Sequence, residues 1–147
     1  MKILIDGDAC PVVNLTEKIA KKNGINLVVF TDITHQIQLN YGKVYTVDKA
    51  NQSVDMALYN KCQKNDIVIT QDYGLAAMVL GKGALAINSS GQEYTDENIN
   101  HLLMKRHLHA KMRRAGHKHP THSKRSKKDD QKFIKMLEKT IKSRLTN

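Results

Sequence analysis

Asp6 and Asp8 stand two residues apart in Asp6-Gly7-Asp8-Ala9-Cys10-Pro11, directly after the apolar run Ile3-Leu4-Ile5. Two carboxylates leaving a buried strand at a turn suit the capture of a divalent cation, and hard oxygen donors favour Mg²⁺ or Mn²⁺. Such an ion activates water and stabilises a leaving oxygen, so the expected chemistry is metal-dependent phosphoester hydrolysis, with nucleic acid as substrate. Two further acids join the pair: Asp72, in Thr70-Gln71-Asp72-Tyr73-Gly74, and Asp55, in the first turn of a helix that starts at Asn51 or Ser53. Carboxylates about 5 Å apart repel by roughly 3 kcal/mol at an effective dielectric of about 20. A helix N-cap is worth only about 1 kcal/mol. Capping does not offset several such repulsions, whereas a divalent cation does.

The elements that must position these acids follow from apolar periodicity. Residues 2 to 5 read as a buried strand and 11 to 23 as a helix with Val12, Leu15 and Ile19 inward; Gly24 stops it and Pro11 sits in its first turn. Gly7 turns the chain and keeps space between the acids. Leu27 to Phe30 and Val44 to Val47 are the second and third strands, separated by a polar loop from Thr31 to Tyr41. A helix runs to Cys62, Ile67 to Ile69 is the fourth strand, Tyr73 to Leu80 a short helix and Ala84 to Ile87 the fifth strand. Alternation of this kind points to an α/β architecture with a parallel sheet covered on both faces. In such a sheet every strand ends at one edge, where ligands sit, and Asp6, Asp8, Asp55 and Asp72 all fall at that edge.

Thr95 N-caps a further helix with Asp96 and Glu97 in its first turn. Ile99, Leu102, Leu103, Leu108 and Met112 supply its apolar contacts, while basic residues accumulate towards a stop at Gly116. Phe133, Ile134, Leu137, Ile141 and Leu145 recur at helical spacing in a last amphipathic helix, which packs on the domain or across a homodimer.

Three of the acids also have a plainer role. Asp8 and Asp72 suit helix caps, and Asp55 is a favourable charge in a first turn. Cys10 reads as a packing residue, because flanking carboxylates disfavour its thiolate. Cys62 reads as core. Asp32 and His35, after the second strand, read as polar loop residues, and Tyr73 and Tyr94 are the tyrosines best placed to stack on bases.

A chain of 147 residues is one domain of ordinary size, burying roughly 70% of its unfolded surface. Its two cysteines imply no disulfide framework and fit a reducing cytoplasm, and neither a signal peptide nor a membrane span is expected. The net charge of +10 is concentrated: residues 105 to 128 carry ten Lys and Arg with no acid and hold five of the seven histidines, while residues 1 to 104 carry nine basic against eleven acidic residues. Lys105, Arg106, Lys111, Arg113, Arg114, Lys118, Lys124, Arg125, Lys127 and Lys128 are therefore the candidate nucleic-acid contacts, with RNA the leading expectation. The pairs His107 with His109 and His117 with His119 signal zinc only weakly, since no cysteine is near.

The opening acidic-Cys-Pro motif, the Val54-Asp55 helix, Asp66 to Asp72 followed by Leu75-Ala76, and Asn88 to Thr95 with Gly91 and Tyr94 together resemble the bacterial YaiI/YqxD family over residues 1 to about 115. That family resembles the PIN-like nucleases. The resemblance implies a three-layer sandwich on a five-stranded parallel sheet of order 3-2-1-4-5, with Asp6, Asp55 and Asp72 as metal ligands and Asp8 as a fourth acid. The chain departs from it at Asn88-Ser89-Ser90-Gly91, where relatives carry Asn-Pro-Arg-Gly, and so lacks a cation that would contact phosphate.

The expected organisation is thus a PIN-like domain over residues 1–115, a basic, His-rich linker over 116–128 and a C-terminal helix over 129–147. The leading function is a metal-dependent, ribonuclease-like hydrolase. Two rivals stand beside it. A non-catalytic RNA- or ribosome-binding module would use the acidic pocket only structurally, and its binding would lose about 10³ between 50 and 200 mM salt for six phosphate contacts. Asp6-Gly7-Asp8 also resembles the Asp-x-Asp of haloacid-dehalogenase-type phosphatases, which would make Asp6 a nucleophile.

Overall fold

The computed structural model describes residues 1–116 and 124–146. Lys118 and the histidines at 117, 119 and 122 lie outside the described residues, as does most of the expected linker.

Eleven elements follow in chain order: β1 (Lys2–Asp6), α1 (Val13–Asn23), β2 (Asn26–Asp32), β3 (Lys43–Val47), α2 (Val54–Lys61), β4 (Ile67–Ile69), α3 (Tyr73–Gly81), β5 (Leu85–Ile87), β6 (Glu93–Tyr94), α4 (Asp96–Arg114) and α5 (Lys127–Leu145). They build one six-stranded sheet of order β3-β2-β1-β4-β5-β6. The first five strands are parallel in the expected order. The sixth corrects the all-parallel, five-stranded expectation: β6 pairs antiparallel with β5, Ala86 opposite Tyr94. Two residues carry no periodicity, so nothing in the sequence marks β6 as a strand. Its turn is built by Asn88, whose Oδ1 accepts the amides of Ser90 at 3.0 Å and Gln92 at 2.9 Å.

Strict alternation along the strands divides the core into two layers, as the period of two requires. Leu4, Phe30, Val68 and Ala86 face one side, where Val54, Ala57 and Leu58 of α2, Leu75, Ala76 and Val79 of α3 and Ile99 of α4 cover them. Ile3, Ile5, Leu27, Val29, Ile67, Ile69 and Ile87 face the other, beneath Ile19 and Ala20 of α1 and Phe133, Leu137 and Ile141 of α5. The last three recur at every fourth residue and are essentially unexposed, each worth about 1.5–3 kcal/mol in burial. The final helix therefore packs on its own chain.

Helix ends follow local chemistry. Thr95 caps α4 in a capping box with Asn98, and Ser126 caps α5 with Asp129. α1 differs from expectation: Val12 is its N-cap, without a side-chain bond, so Pro11 precedes the helix and Asp8 does not cap it. Leu108 and Met112 also depart from their expected inward role. Both are exposed, as is Met104, because α4 meets the body through Ile99, Leu102 and Leu103. Among the described residues no helix is long and apolar enough to cross a membrane.

Candidate functional site

β1 lies between β2 and β4, so its last residue, Asp6, reaches the carboxyl edge at the middle of the sheet. There the chain turns at Gly7, whose amide donates to the Phe30 carbonyl at 2.7 Å. A methyl group at Gly7 would stand 2.7 Å from that carbonyl and 3.1 Å from Ile37. Glycine is thus demanded by contact with β2, rather than by space between the acids.

Thr70, at the end of β4, ties the neighbouring segments together. Its hydroxyl donates to Asp6 Oδ2 at 3.1 Å and accepts the Asp72 amide at 3.0 Å. The Thr70 carbonyl accepts the Tyr94 hydroxyl at 3.1 Å, which gives the short strand β6 a task at this edge. Tyr94 is 1% exposed and packs edge-on to Tyr73 at 5.9 Å, so it is unavailable for stacking on a base. Asp72 Oδ1 accepts the Gly74 and Leu75 amides at 2.8 and 3.1 Å, capping α3. Asp55 occupies the first turn of α2, capped by Ser53.

The four predicted acids act on one another. Burial pushes the Asp55 carboxyl up to about 6, with Asp72, Asp6 and Asp8 adding repulsion. Burial also raises Asp6, opposed by the Thr70 hydroxyl and reinforced by Asp8 and Asp72. Asp6 Oδ1 and Asp8 Oδ1 are buried without a hydrogen-bond partner.

Asp8 also joins a group that sequence reasoning left in a loop. Asp8, Asp32 and His35 place one potential ligand atom each within 4.8 Å of one another, a geometry that can hold a metal ion. His35 Nδ1 lies 3.6 Å from Asp8 Oδ1 and 3.2 Å from Asp32 Oδ1. The Asp32 side chain is fully buried and already well supplied: Oδ1 accepts the Thr34 amide at 2.8 Å and the Thr34 hydroxyl, and Lys49 Nζ lies 3.0 Å from Oδ2. Hydrogen bonds from Thr34 foremost, then the Lys49 ammonium, hold Asp32 well below the usual carboxylate range against the cost of burial. A readable signal was its place at the end of the strand adjoining β1, which puts it beside Asp8.

The basic candidates divide. Arg106 Nη1 lies 3.5 Å from Asp72 Oδ1, which brings one cation of α4 onto the acidic edge. Lys105, Lys111, Arg113 and Arg114 are exposed on the same helix. Arg125 is half-buried, its Nε bonded to Asp130 Oδ1 at 2.7 Å and its charge felt by Cys10. Lys124, Lys127 and Lys128 are exposed around the start of α5. Burial raises the Cys10 thiol and pushes Cys62 up to about 11, in keeping with packing roles.

Over residues 4–143 the chain matches the family described as "Uncharacterized BCR, YaiI/YqxD family". A "UPF0178 protein" of Ruminiclostridium cellulolyticum is 52% identical over 93% of this chain and 90% of its own length. One from Clostridium perfringens is 49% identical over 96% and 95%. Among solved structures, Rae1 (YacP) from Bacillus subtilis, as a W164L mutant, is similar over 97% of this chain and 92% of its own, at 16% identity and a TM-score of 0.48.

Proposed function

The chain belongs to the YaiI/YqxD family, and we propose that the carboxylates at the carboxyl edge of its sheet form the Mg²⁺ or Mn²⁺ centre of a PIN-like hydrolase that cleaves phosphodiesters in nucleic acid, RNA foremost. The observation that carries this reading is Asp55. Its carboxyl is pushed up to about 6 by burial with help from Asp72, which follows β4, and from Asp6 and Asp8, at and just after the end of β1. A protein gains nothing in stability from assembling such repulsion, and a divalent cation relieves it.

The donor set fits a hard cation. Asp6, Asp55 and Asp72 would hold it through carboxylate oxygens, and the buried, unpartnered Asp6 Oδ1 is a ready donor. When bound, the ion supplies charge neutralisation at the phosphate and a more acidic water. Asp8, whose Oδ1 is also without a hydrogen-bond partner, would orient that water. Thr70 fixes the Asp6 carboxylate through its hydroxyl. Arg106, beside Asp72, and the exposed cations of α4 and α5 offer the phosphate backbone a path to the acids.

The test is calorimetric titration of Mn²⁺ into the parent, Asp55→Asn and Asp72→Asn, followed by incubation with single-stranded RNA. Binding and cleavage by the parent, with both lost in the folded variants, is the expected outcome. Cleavage that persists in both variants overturns the reading. Binding of RNA with neither metal uptake nor turnover replaces it with the non-catalytic module, and a phosphate trapped covalently on Asp6 replaces it with the phosphatase.

A further inference from the structure

An open groove of about 460 Å³ adjoins the acidic edge, with Gly7 and Cys10 in one wall and Gln36, Ile37 and Gln38 in the other, Asn14 completing the rim. Its first wall is the turn that carries Asp6 and Asp8. Its second wall directly follows His35, whose ring meets Asp8 at 3.6 Å. The two walls close on each other where Ile37 packs against Gly7.

The lining has a consistent chemistry. Cys10 and Ile37 give the walls apolar surface, the amide side chains of Asn14, Gln36 and Gln38 are exposed, and among the described residues no charged side chain lines the groove. A phosphate would be poorly served there. A flat, neutral, edge-polar group is well served, because each amide offers both donors and an acceptor and Cys10 and Ile37 offer apolar contact. Among the described residues no hydrogen bond engages these three side-chain amides.

We infer that this groove, beside the turn that carries Asp6 and Asp8, binds a nucleobase of single-stranded nucleic acid. The inference rests on the nucleic-acid reading above and adds to it a base-reading subsite. Duplex does not enter, because its bases are stacked and paired, whereas an unpaired base presents its edges to side-chain amides.

Fluorescence anisotropy of the full chain in EDTA tests it, with homopolymeric RNA octamers of each base, their DNA counterparts and an abasic ribose-phosphate octamer as probes. One base is expected to bind at least about fivefold tighter than the others, as amide pairing to a base edge requires. The abasic oligomer is expected to bind weakest. Gln36→Ala with Gln38→Ala, which melts with the parent, removes the preference. The RNA and DNA series together show whether the sugar is also read. Equal binding of all four bases, or a preference that survives the double variant and Asn14→Ala, overturns the inference. Cleavage is scored separately: base preference without metal-dependent cleavage keeps the subsite and removes the hydrolase, and cleavage without base preference does the reverse.

Discussion

The Thr70 hydroxyl spans the ends of two adjacent parallel strands, donating to Asp6 Oδ2 at 3.1 Å while accepting the Asp72 amide at 3.0 Å. Thr70 is 2% exposed, so its hydroxyl has little access to water in place of these partners. Thr70→Val should destabilise the fold by about 1–3 kcal/mol, the cost of buried polar groups left unpaired. Because the hydroxyl lowers the Asp6 pKa, its loss should also raise it further. Mn²⁺ affinity should fall by about 10- to 100-fold, as for other supports of a ligand. Urea unfolding and calorimetric titration read the two effects.

Asp55 gives the metal-free protein an unusual pH dependence. Its carboxyl rises from an ordinary 3.8 to about 6 on folding, so between those values the folded state binds more protons than the unfolded one. Stability must then fall as pH rises through that window, the reverse of the usual carboxylate case. Asp55→Asn should flatten the slope and stabilise the protein at pH 7.5 in EDTA. Mn²⁺ should bind more tightly as pH passes about 6, because it competes with the proton held by Asp55. Denaturant melts at pH 4, 5.5 and 7.5, with and without the ion, check the sign.

Gly7→Ala should destabilise by about 1–3 kcal/mol, since its methyl meets the Phe30 carbonyl at 2.7 Å. Gly91→Ala should cost at least as much. Its φ of +80° already favours glycine, and the added carbon would lie 2.5 Å from the Lys132 carbonyl in α5. Thermal melts of both variants beside Gly24→Ala, where nothing lies within 4 Å, separate collision from backbone strain.

Arg106→Gln should weaken RNA binding about equally across sequences and reduce the slope of log affinity against log salt by about 1, the signature of one lost phosphate contact. Anisotropy between 50 and 200 mM salt measures it. An unchanged slope would leave Arg106 as a partner of Asp72 alone.

Phe133→Ala should cost about 3–5 kcal/mol, because the ring is fully buried beneath the sheet and leaves a cavity. Chemical denaturation should show one cooperative transition moving to lower urea. Release of α5 as a separate earlier transition would contradict its packing as part of the core.

Much of the scaffold was legible because parallel strands buried on both faces leave uninterrupted apolar runs, and Ile3-Leu4-Ile5, Leu27 to Phe30 and Ile67-Val68-Ile69 are such runs. β6 was not legible: two residues have no period, and only pairing with Ala86 and Ile87 makes Glu93 and Tyr94 a strand. Nor did the composition of α4 reveal which apolar residues face inward, since Leu108 and Met112 are as apolar as Leu102 yet lie beyond the body it packs on.

The acids show the same division. Their types, and their positions just after strands or in first helical turns, were determined by the order of residues alone, because a strand's end and a helix's start are local events. That Asp55 is repelled by Asp72 and Asp6, that Asp8 meets His35, and that Arg106 leans onto Asp72 were decided only by the tertiary structure. The reason is physical: strand order and helix packing bring together residues far apart in the chain, and electrostatic interaction depends on distance through space rather than along the sequence.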